Sequence, residues 1–126
     1  MQLQLRDGLP FTTVTICYLG NEIEIENVLV DTGSASTIFS ADEVAKISIA
    51  PEPGDILYAI RGVGGSETVF NRLIDEIRVG DRGIEGFDIE VGGMDYGFPI
   101  NGILGMDFLA RLGAIIDLGN FRISFG

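Results

Sequence analysis

Hydrophobic and polar residues alternate along most of this 126-residue chain, in runs short enough to be single strands. A two-residue alternation places one face of a strand in the core and the other in solvent. We therefore expect strands at residues 2–5, 11–19, 22–30, 37–39, 57–60 and 67–70, with a further pair joined at 80–83 and a closing pair joined at 119–120. The chain is predicted to be mainly β.

Two segments instead have the spacing of short helices. Residues 40–47, SADEVAKI, begin with a capping box, in which Ser40 accepts a hydrogen bond from the Glu43 amide and the Glu43 side chain reaches back. Residues 106–113, MDFLARLG, place apolar side chains on one helical face and end at Gly113, a favourable C-terminal cap.

The predicted strand at 22–30 changes character along its length. Isoleucines alternate with glutamates from 22 to 26, whereas residues 28–30, Val-Leu-Val, are continuously apolar. Such a change indicates a strand that passes from the surface into a core with two buried faces. The next residue is Asp31, so a carboxylate directly follows a buried strand and opens the turn sequence DTGSAS.

The composition is that of a folded protein, with 46% hydrophobic and 21% charged residues. The 18 glycines are dispersed without a period, which fits many tight turns between short strands. At this length we expect one domain, residues 1–126. The net charge of −11 argues against nucleic-acid binding, because phosphates need a positive surface.

The first residues and the apolar runs bear on location. The start, MQLQLRDG, alternates polar and apolar residues rather than joining a basic segment to a long apolar one, so no signal peptide is expected. No apolar run approaches the ~20 residues that a membrane span needs. We expect a cytoplasmic protein without membrane contact, either intact or as a domain of a longer chain.

The missing residue types restrict the chemistry. The chain has no histidine, which excludes a Ser-His-Asp triad, a Cys-His pair and histidine-ligated zinc. Cys17 is the single cysteine and lies in an apolar run, so it is expected to be a small buried hydrophobe. Lys46, the single lysine, is not part of a phosphate-binding Gly-Lys-Ser/Thr loop. Catalysis must therefore use carboxylates, hydroxyls and backbone amides, and no metal or other cofactor is predicted.

Asp31 has two interpretations, an ordinary Asx turn after a strand or a catalytic loop. Two later elements favour the second. A glycine-rich hairpin sequence, YAIRGVGGSETVF, follows the loop, and Gly105, 74 residues after Asp31, ends the sequence NGILG directly before the second helix. These three elements, in this order, resemble those of the retropepsin-like aspartic proteases, over residues 11–126.

The resemblance implies a closed β-barrel-like acid-protease fold and a catalytic role for Asp31. Thr32 would hydrogen-bond across to a partner loop, Gly33 would offer its amide to a carboxylate, and Ser34 would bond near the outer oxygen of Asp31. The hydrophobic motif under this loop would comprise Ile103, Leu104 and Gly105.

The same resemblance assigns a flap, a hairpin that closes over a bound peptide and excludes water. Its tip would comprise Gly62, Val63, Gly64 and Gly65, and Tyr58 would line the cleft beside it. An ordinary flexible hairpin is the alternative, since glycine content alone does not distinguish the two.

One Asp-Thr-Gly sequence in the chain implies that the second aspartate of the family's catalytic pair comes from a second subunit. The expected protein is a homodimeric aspartic endopeptidase, acting on polypeptide or peptide substrates through Asp31 of each chain. Asp117, in the sequence IIDLGN, has leucine where the motif has threonine and is expected to be structural.

The sequence after Gly105 departs from the retroviral members and is more similar to bacterial and cellular ones. Where retroviral members carry an Arg-Asp pair, this chain has Asp107 and Arg111, four residues apart on one helical face, and an ion pair is expected. Whether the terminal segments interleave between subunits, as in retroviral members, stays open.

Two other functions remain possible from the sequence. The same fold serves equally as a non-catalytic dimerisation or peptide-binding module. A glycosidase would need two carboxylates about 5 to 9.5 Å apart, and the sequence nominates no second one.

Overall fold

The computed structural model describes residues 1–62, 65–94 and 99–126, with backbone alone at 60–62 and 65–67. Its strands are β1 (Gln4–Arg6), β2 (Leu9–Tyr18), β3 (Asn21–Val30), β4 (Ile38–Ser40), β5 (Tyr58–Gly62), β6 (Gly65–Val79), β7 (Arg82–Gly92), β8 (Gly102–Leu104), β9 (Ala114–Asp117) and β10 (Arg122–Phe125). Helix α1 (Ala41–Val44) continues into a 3₁₀ turn (Ala45–Ile47), and α2 (Met106–Leu109) follows β8.

Strand β6 corrects the predicted boundaries, because it runs unbroken where the sequence predicted two strands. The polar pair Asn71 and Arg72 marks the predicted interruption. Both residues keep their strand partners on β7, Asn71 opposite Glu90 and Arg72 opposite Ile89. Arg72 occupies an inward position that an aliphatic residue would normally fill. The apolar–polar alternation of the strand is therefore broken in the sequence at this position.

Eight strands form one sheet in the order β1-β2-β3-β8-β4-β7-β6-β5. A further pairing of β2 with β6 makes this sheet ring-like, although the two strands meet over three residue pairs only. The mainly β, barrel-like fold with two short helices is therefore confirmed, but the sheet is not a fully closed barrel. The pairings of β3 with β8 and of β4 with β7 are parallel, whereas β4 and β8 run antiparallel.

The core fills the inside of this ring with the inward residues of the alternating strands. Phe108 of α2 is fully buried and makes edge-to-face contacts with Phe87 and Phe125, at ring-centroid distances of 6.1 and 6.0 Å. These contacts join α2 to β7 and β10, so the second helix is fixed from both sides.

Cys17 lies on the outward face of β2 and is half-buried, contrary to the expected buried position. Its Sγ contacts Glu22 at 3.6 Å and accepts from the Arg78 guanidinium at 3.5 Å. Partial burial and the hydrogen bond to Glu22 raise the pKa of the thiol. The apolar neighbours of Cys17 in sequence belong to the opposite, inward face of the same strand.

Both helices begin where predicted, but their ends are made differently. Ser40 is the N-cap of α1 without a side-chain capping bond, and Glu43 instead pairs with Lys46 at 3.0 Å. Gly113 has the predicted left-handed backbone, with φ of +60°, four residues after α2 ends. In the described part of the chain, no helix has the length and apolar character that a membrane crossing requires.

The two chain ends pair with each other within one subunit. The Met1 amine donates to the Ile123 carbonyl at 3.0 Å, and the Ile123 amide donates back to Met1 at 2.9 Å.

At the β9–β10 turn, hydrogen bonds from the Asn120 side chain and amide lower the pKa of Asp117. Asp117 therefore has a local contact that accounts for its presence.

We expect Phe108→Ala to destabilise the fold by about 3–5 kcal/mol, because it removes a fully buried ring between two others. Leu73→Ala, at a β6 side chain that is 64% exposed, should cost less than about 0.5 kcal/mol. Urea unfolding of both variants measures the difference. Equal costs would contradict the packing described for α2.

Candidate active site

Asp31 stands at the end of a strand that is held on both sides. Strand β3 pairs with β8 in the register Val28 to Gly102, Leu29 to Ile103 and Val30 to Leu104. The Asp31 amide continues this ladder by donating to the Leu104 carbonyl at 3.0 Å. The backbone of this half-buried carboxylate is thus fixed by the sheet before the turn begins.

The turn after Asp31 directs one backbone amide at the carboxylate and another at the Asp31 carbonyl. The Gly33 amide donates to Asp31 Oδ1 at 2.8 Å, and the Ser34 amide donates to the Asp31 carbonyl at 3.2 Å. The Ser34 hydroxyl donates to the Ser36 carbonyl at 2.8 Å, not to Asp31 as expected from the resemblance. Thr32 is exposed at the outside of the turn.

Thr37, which the sequence analysis did not single out, connects this loop to α2. It is fully buried, and its hydroxyl donates to Asp107 Oδ1 at 2.7 Å, while its amide donates to Asp107 Oδ2 at 3.2 Å. The same hydroxyl accepts from the Gly105 amide at 3.0 Å. The sequence signal for this role is the position of the threonine, which follows the turn and precedes an apolar pair.

The partner of Asp107 is therefore Thr37, and the ion pair expected with Arg111 is wrong. The Arg111 guanidinium lies over the Phe87 ring, 5.8 Å from its centroid. A spacing of four residues allows an ion pair on a helix, but a buried hydroxyl and amide hold the carboxylate more tightly than an exposed arginine can.

The segment under the loop places Ile103, Leu104 and Gly105 directly against it. A Cβ at Gly105 would lie 2.2 Å from the Ser36 carbonyl oxygen, so no larger residue fits. The first two amides of α2 then donate hydrogen bonds to carbonyls of the loop. Met106 donates to the Ser34 carbonyl at 2.7 Å, and Asp107 donates to the Ala35 carbonyl at 3.2 Å.

A row of apolar side chains lies across three neighbouring strands beside Asp31. Leu29, Ile103 and Ile38 are directly opposite one another on β3, β8 and β4. All three are half-buried, whereas the residues on either side of each along β3 and β8 face the core. The row is therefore an apolar surface at the same sheet edge from which Asp31 extends.

Strands β5 and β6 form the predicted hairpin, paired from Tyr58 opposite Val69 to Gly62 opposite Gly65. Val63 and Gly64, assigned to the flap tip, lie outside the described residues. The Tyr58 hydroxyl donates to Asn71 Oδ1 at 2.6 Å, so this ring lies along the second strand of the hairpin. Partial burial, together with nearby Glu90 and Asp88, raises the pKa of Tyr58.

Among the residues that the structure describes, no three or more cysteine, aspartate or glutamate side chains gather as a metal site would require. The groups near Asp31 that can act on a ligand are its own carboxylate, the exposed Thr32 and the backbone amides of the turn.

An aspartate presented from an Asp-Thr-Gly turn, within a ring-like β-sheet and above a glycine-containing strand end, defines the acid-protease class. The aspartyl protease family model matches residues 13–108, most of the chain. The chain belongs to the aspartyl protease family, and the retropepsin-like resemblance inferred from the motifs is confirmed.

Solved structures agree on the fold. A retropepsin-like aspartic protease from Rickettsia conorii aligns with a TM-score of 0.69 and 18% sequence identity, over 98% of this chain and 95% of that one. At this identity the likeness concerns the fold. No curated protein sequence matches significantly.

Thr37→Val should destabilise the protein by about 1–3 kcal/mol, because it removes the hydroxyl that donates to Asp107 Oδ1 and leaves the Gly105 amide without its acceptor. Thr37→Ser keeps the hydroxyl and loses one methyl group, at a cost of about 0.8 kcal/mol. Urea unfolding of the pair tests the connection. A valine variant as stable as the serine variant would show that the methyl group, not the hydroxyl, matters.

Proposed function

We propose that this chain is the subunit of a homodimeric aspartic endopeptidase, with Asp31 of each subunit forming the catalytic pair. The observation that carries the proposal is the way in which the backbone and carboxylate of Asp31 are held in place. The sheet fixes its backbone, and the Gly33 amide bonds one carboxylate oxygen at 2.8 Å. Membership in the aspartyl protease family supports the same role.

The chemistry follows from two carboxylates in one place. At about 3 Å apart they cannot both be ionised, so one retains a proton. The ionised member takes a proton from water as the water oxygen attacks the scissile carbonyl carbon, while the protonated member donates to the carbonyl oxygen. Collapse of the tetrahedral intermediate breaks the C–N bond. The carboxyl that took the water proton passes it to the leaving nitrogen, and the other carboxylate takes back the proton from the hydroxyl that becomes the new carbonyl oxygen.

The outer edge of β9 and the surface beside Thr32 support a location for the dimer contact, because within the described residues β9 pairs with β10 alone. The terminal residues Met1 and Ile123 are paired within one subunit, so their strands do not have to interleave with a partner. Three apolar side chains remain exposed near this edge: Met106 at 40%, Ile115 at 57% and Leu118 at 57%. Thr32 and Met106 line one groove with Ile116 of β9.

A two-fold contact that covers both this groove and the exposed face of β9 would bury the apolar side chains and bring the two Asp31 turns toward the axis. In an isologous contact a residue meets its own copy only at the two-fold axis, so a dyad of two Asp31 carboxylates requires that the axis pass between the two Asp31 turns. Thr32, exposed in the single subunit, would then meet the partner loop.

Substrate binding is assigned to the apolar row and the hairpin. A peptide in extended conformation can pair with strand edges through its backbone, while alternate side chains enter pockets. Leu29, Ile38 and Ile103 offer such a surface next to Asp31. We therefore propose a preference for apolar residues beside the scissile bond.

Asp31→Asn should abolish cleavage of a denatured protein substrate, with a loss of at least about 10²-fold, since proton transfer at this group is removed. Asp81→Asn removes an equal charge at the exposed β6–β7 turn and should leave cleavage unchanged. Cleavage is followed by mass spectrometry of the products. Peptide binding without turnover in both wild type and Asp31→Asn would favour the non-catalytic module.

Ile115→Arg should weaken the dimer by at least about tenfold, because a contact over this face of β9 would bury a charged side chain without a partner. Leu19→Arg, at a β2–β3 turn residue that is 74% exposed, serves as the matched control. Sedimentation velocity and activity on dilution are measured together. Full activity from a monomeric Ile115→Arg species would reject the shared site.

A further inference from the structure

Arg72 is a charged residue in the protein core. It lies on β6 opposite Ile89 and is 8% exposed, between the buried positions Phe70 and Ile74. Its guanidinium carbon lies 5.8 Å from the ring centroid of Tyr18 and 5.4 Å from that of Phe70. Burial of a charge at such a position is costly unless the charge is paired.

Three of the four polar partners of the guanidinium lie in the loop between the 3₁₀ turn and β5, and the fourth is Tyr18 of β2. One nitrogen bonds Asp55 Oδ2 at 2.7 Å and the Ala50 carbonyl at 3.0 Å. The other lies 3.2 Å from Glu52 Oε2 and 3.3 Å from the Tyr18 hydroxyl. The planar fork of arginine can hold this many acceptors at once, whereas a lysine ammonium cannot.

The loop at residues 50–57 has few other attachments. Each of its residues is exposed except Asp55, which is half-buried and bonded to Arg72. Asp55 also closes the loop on itself, since its carboxylate accepts from the Glu52 amide at 2.6 Å and its amide donates to the Glu52 carbonyl at 3.0 Å. Ile56 is 81% exposed and contributes little apolar burial.

The position of the loop connects this contact to the hairpin. Tyr58, the first residue of β5, follows Asp55 by three residues, and β5 pairs with β6, which carries Arg72 itself. Arg72 of β6 therefore holds the segment that leads into β5 against β6, the other strand of the hairpin. Without it, residues 50–57 lose the hydrogen bonds from the guanidinium to Asp55 and Ala50, which draw them toward the core.

We propose that Arg72 is a positioning residue that fixes residues 50–57 and, through them, the base of the β5–β6 hairpin. Its effect on catalysis rests on the proposed function, in which this hairpin closes over the peptide. Its effect on the loop does not, and the two can be measured separately.

The first measurement is amide hydrogen exchange of wild type, Arg72→Met and Arg72→Lys. Methionine fills the core position without a buried charge, so the global free energy of unfolding should change little. Exchange at the hydrogen-bonded loop amides, those of Glu52 and Asp55, should accelerate by about tenfold or more in Arg72→Met and less in Arg72→Lys. Glu43→Gln, which removes the exposed pair with Lys46, is the control and should exchange as wild type does.

Two outcomes would overturn the proposal. Unchanged exchange at residues 50–57 in Arg72→Met would show that the loop does not depend on the guanidinium. Acceleration of equal size in β2 and β3 would show a general loss of stability instead of a local release.

The second measurement is peptide cleavage by the same variants. A loosened hairpin base should raise KM several-fold in Arg72→Met with a smaller change in kcat, and Arg72→Lys should restore part of KM. An unchanged KM beside faster loop exchange would reject the positioning of the hairpin. If wild type does not cleave peptides, the proposed protease function fails, while the exchange result still decides whether Arg72 holds the loop.

Discussion

The hydrogen bonds between Thr37 and Asp107 are the contact on which the geometry around Asp31 depends. They join a residue six positions after Asp31 to the first turn of α2, and they do so inside the protein, where an unpaired carboxylate or amide would be costly. The Gly105 amide completes the group by donating to the Thr37 hydroxyl. Loop, strand end and helix therefore form one rigid unit. The β3–β8 ladder fixes the Asp31 backbone, and this unit fixes the strand end and the helix that the ladder and the following turn lie against.

Close backbone approach is the second requirement of this unit, and two glycines meet it. A Cβ at Gly105 would collide with the Ser36 carbonyl, and one at Gly102 would come within 2.7 Å of the Phe39 ring. Strand β8 can lie between β3 and β4 only because both positions lack a side chain. The resulting sheet leaves Leu29, Ile38 and Ile103 as an even apolar surface beside Asp31. The same small residues thus determine both how the loop is held and what kind of surface adjoins it.

Much of this arrangement could be predicted from the sequence, for identifiable reasons. Period-two alternation gave most strands, and the apolar run at 28–30 correctly placed Asp31 at the end of a buried strand, because both signals depend on which face is buried. Contacts between distant polar side chains were not predictable in this way. Asp107 was paired with Arg111, its neighbour on the helix, whereas its partner Thr37 is 70 positions away in sequence. Arg72 interrupts the alternation of β6 because it is a charged residue at an inward position. Its acceptors belong to a distant loop, which the alternation pattern does not describe.

The parallel pairing of β3 with β8 also has a consequence for folding. It joins residues 28–30 to residues 102–104, with most of the chain between them. Contacts of such long sequence separation carry a large loop-closure entropy and tend to form slowly. Strand β8 and α2 are expected to dock after the hairpins of β2–β3 and β6–β7 have formed, since those pairings are local. An early intermediate would then contain much of the sheet but no ordered Asp31 turn, so the candidate site is completed only when the last strand enters the ring.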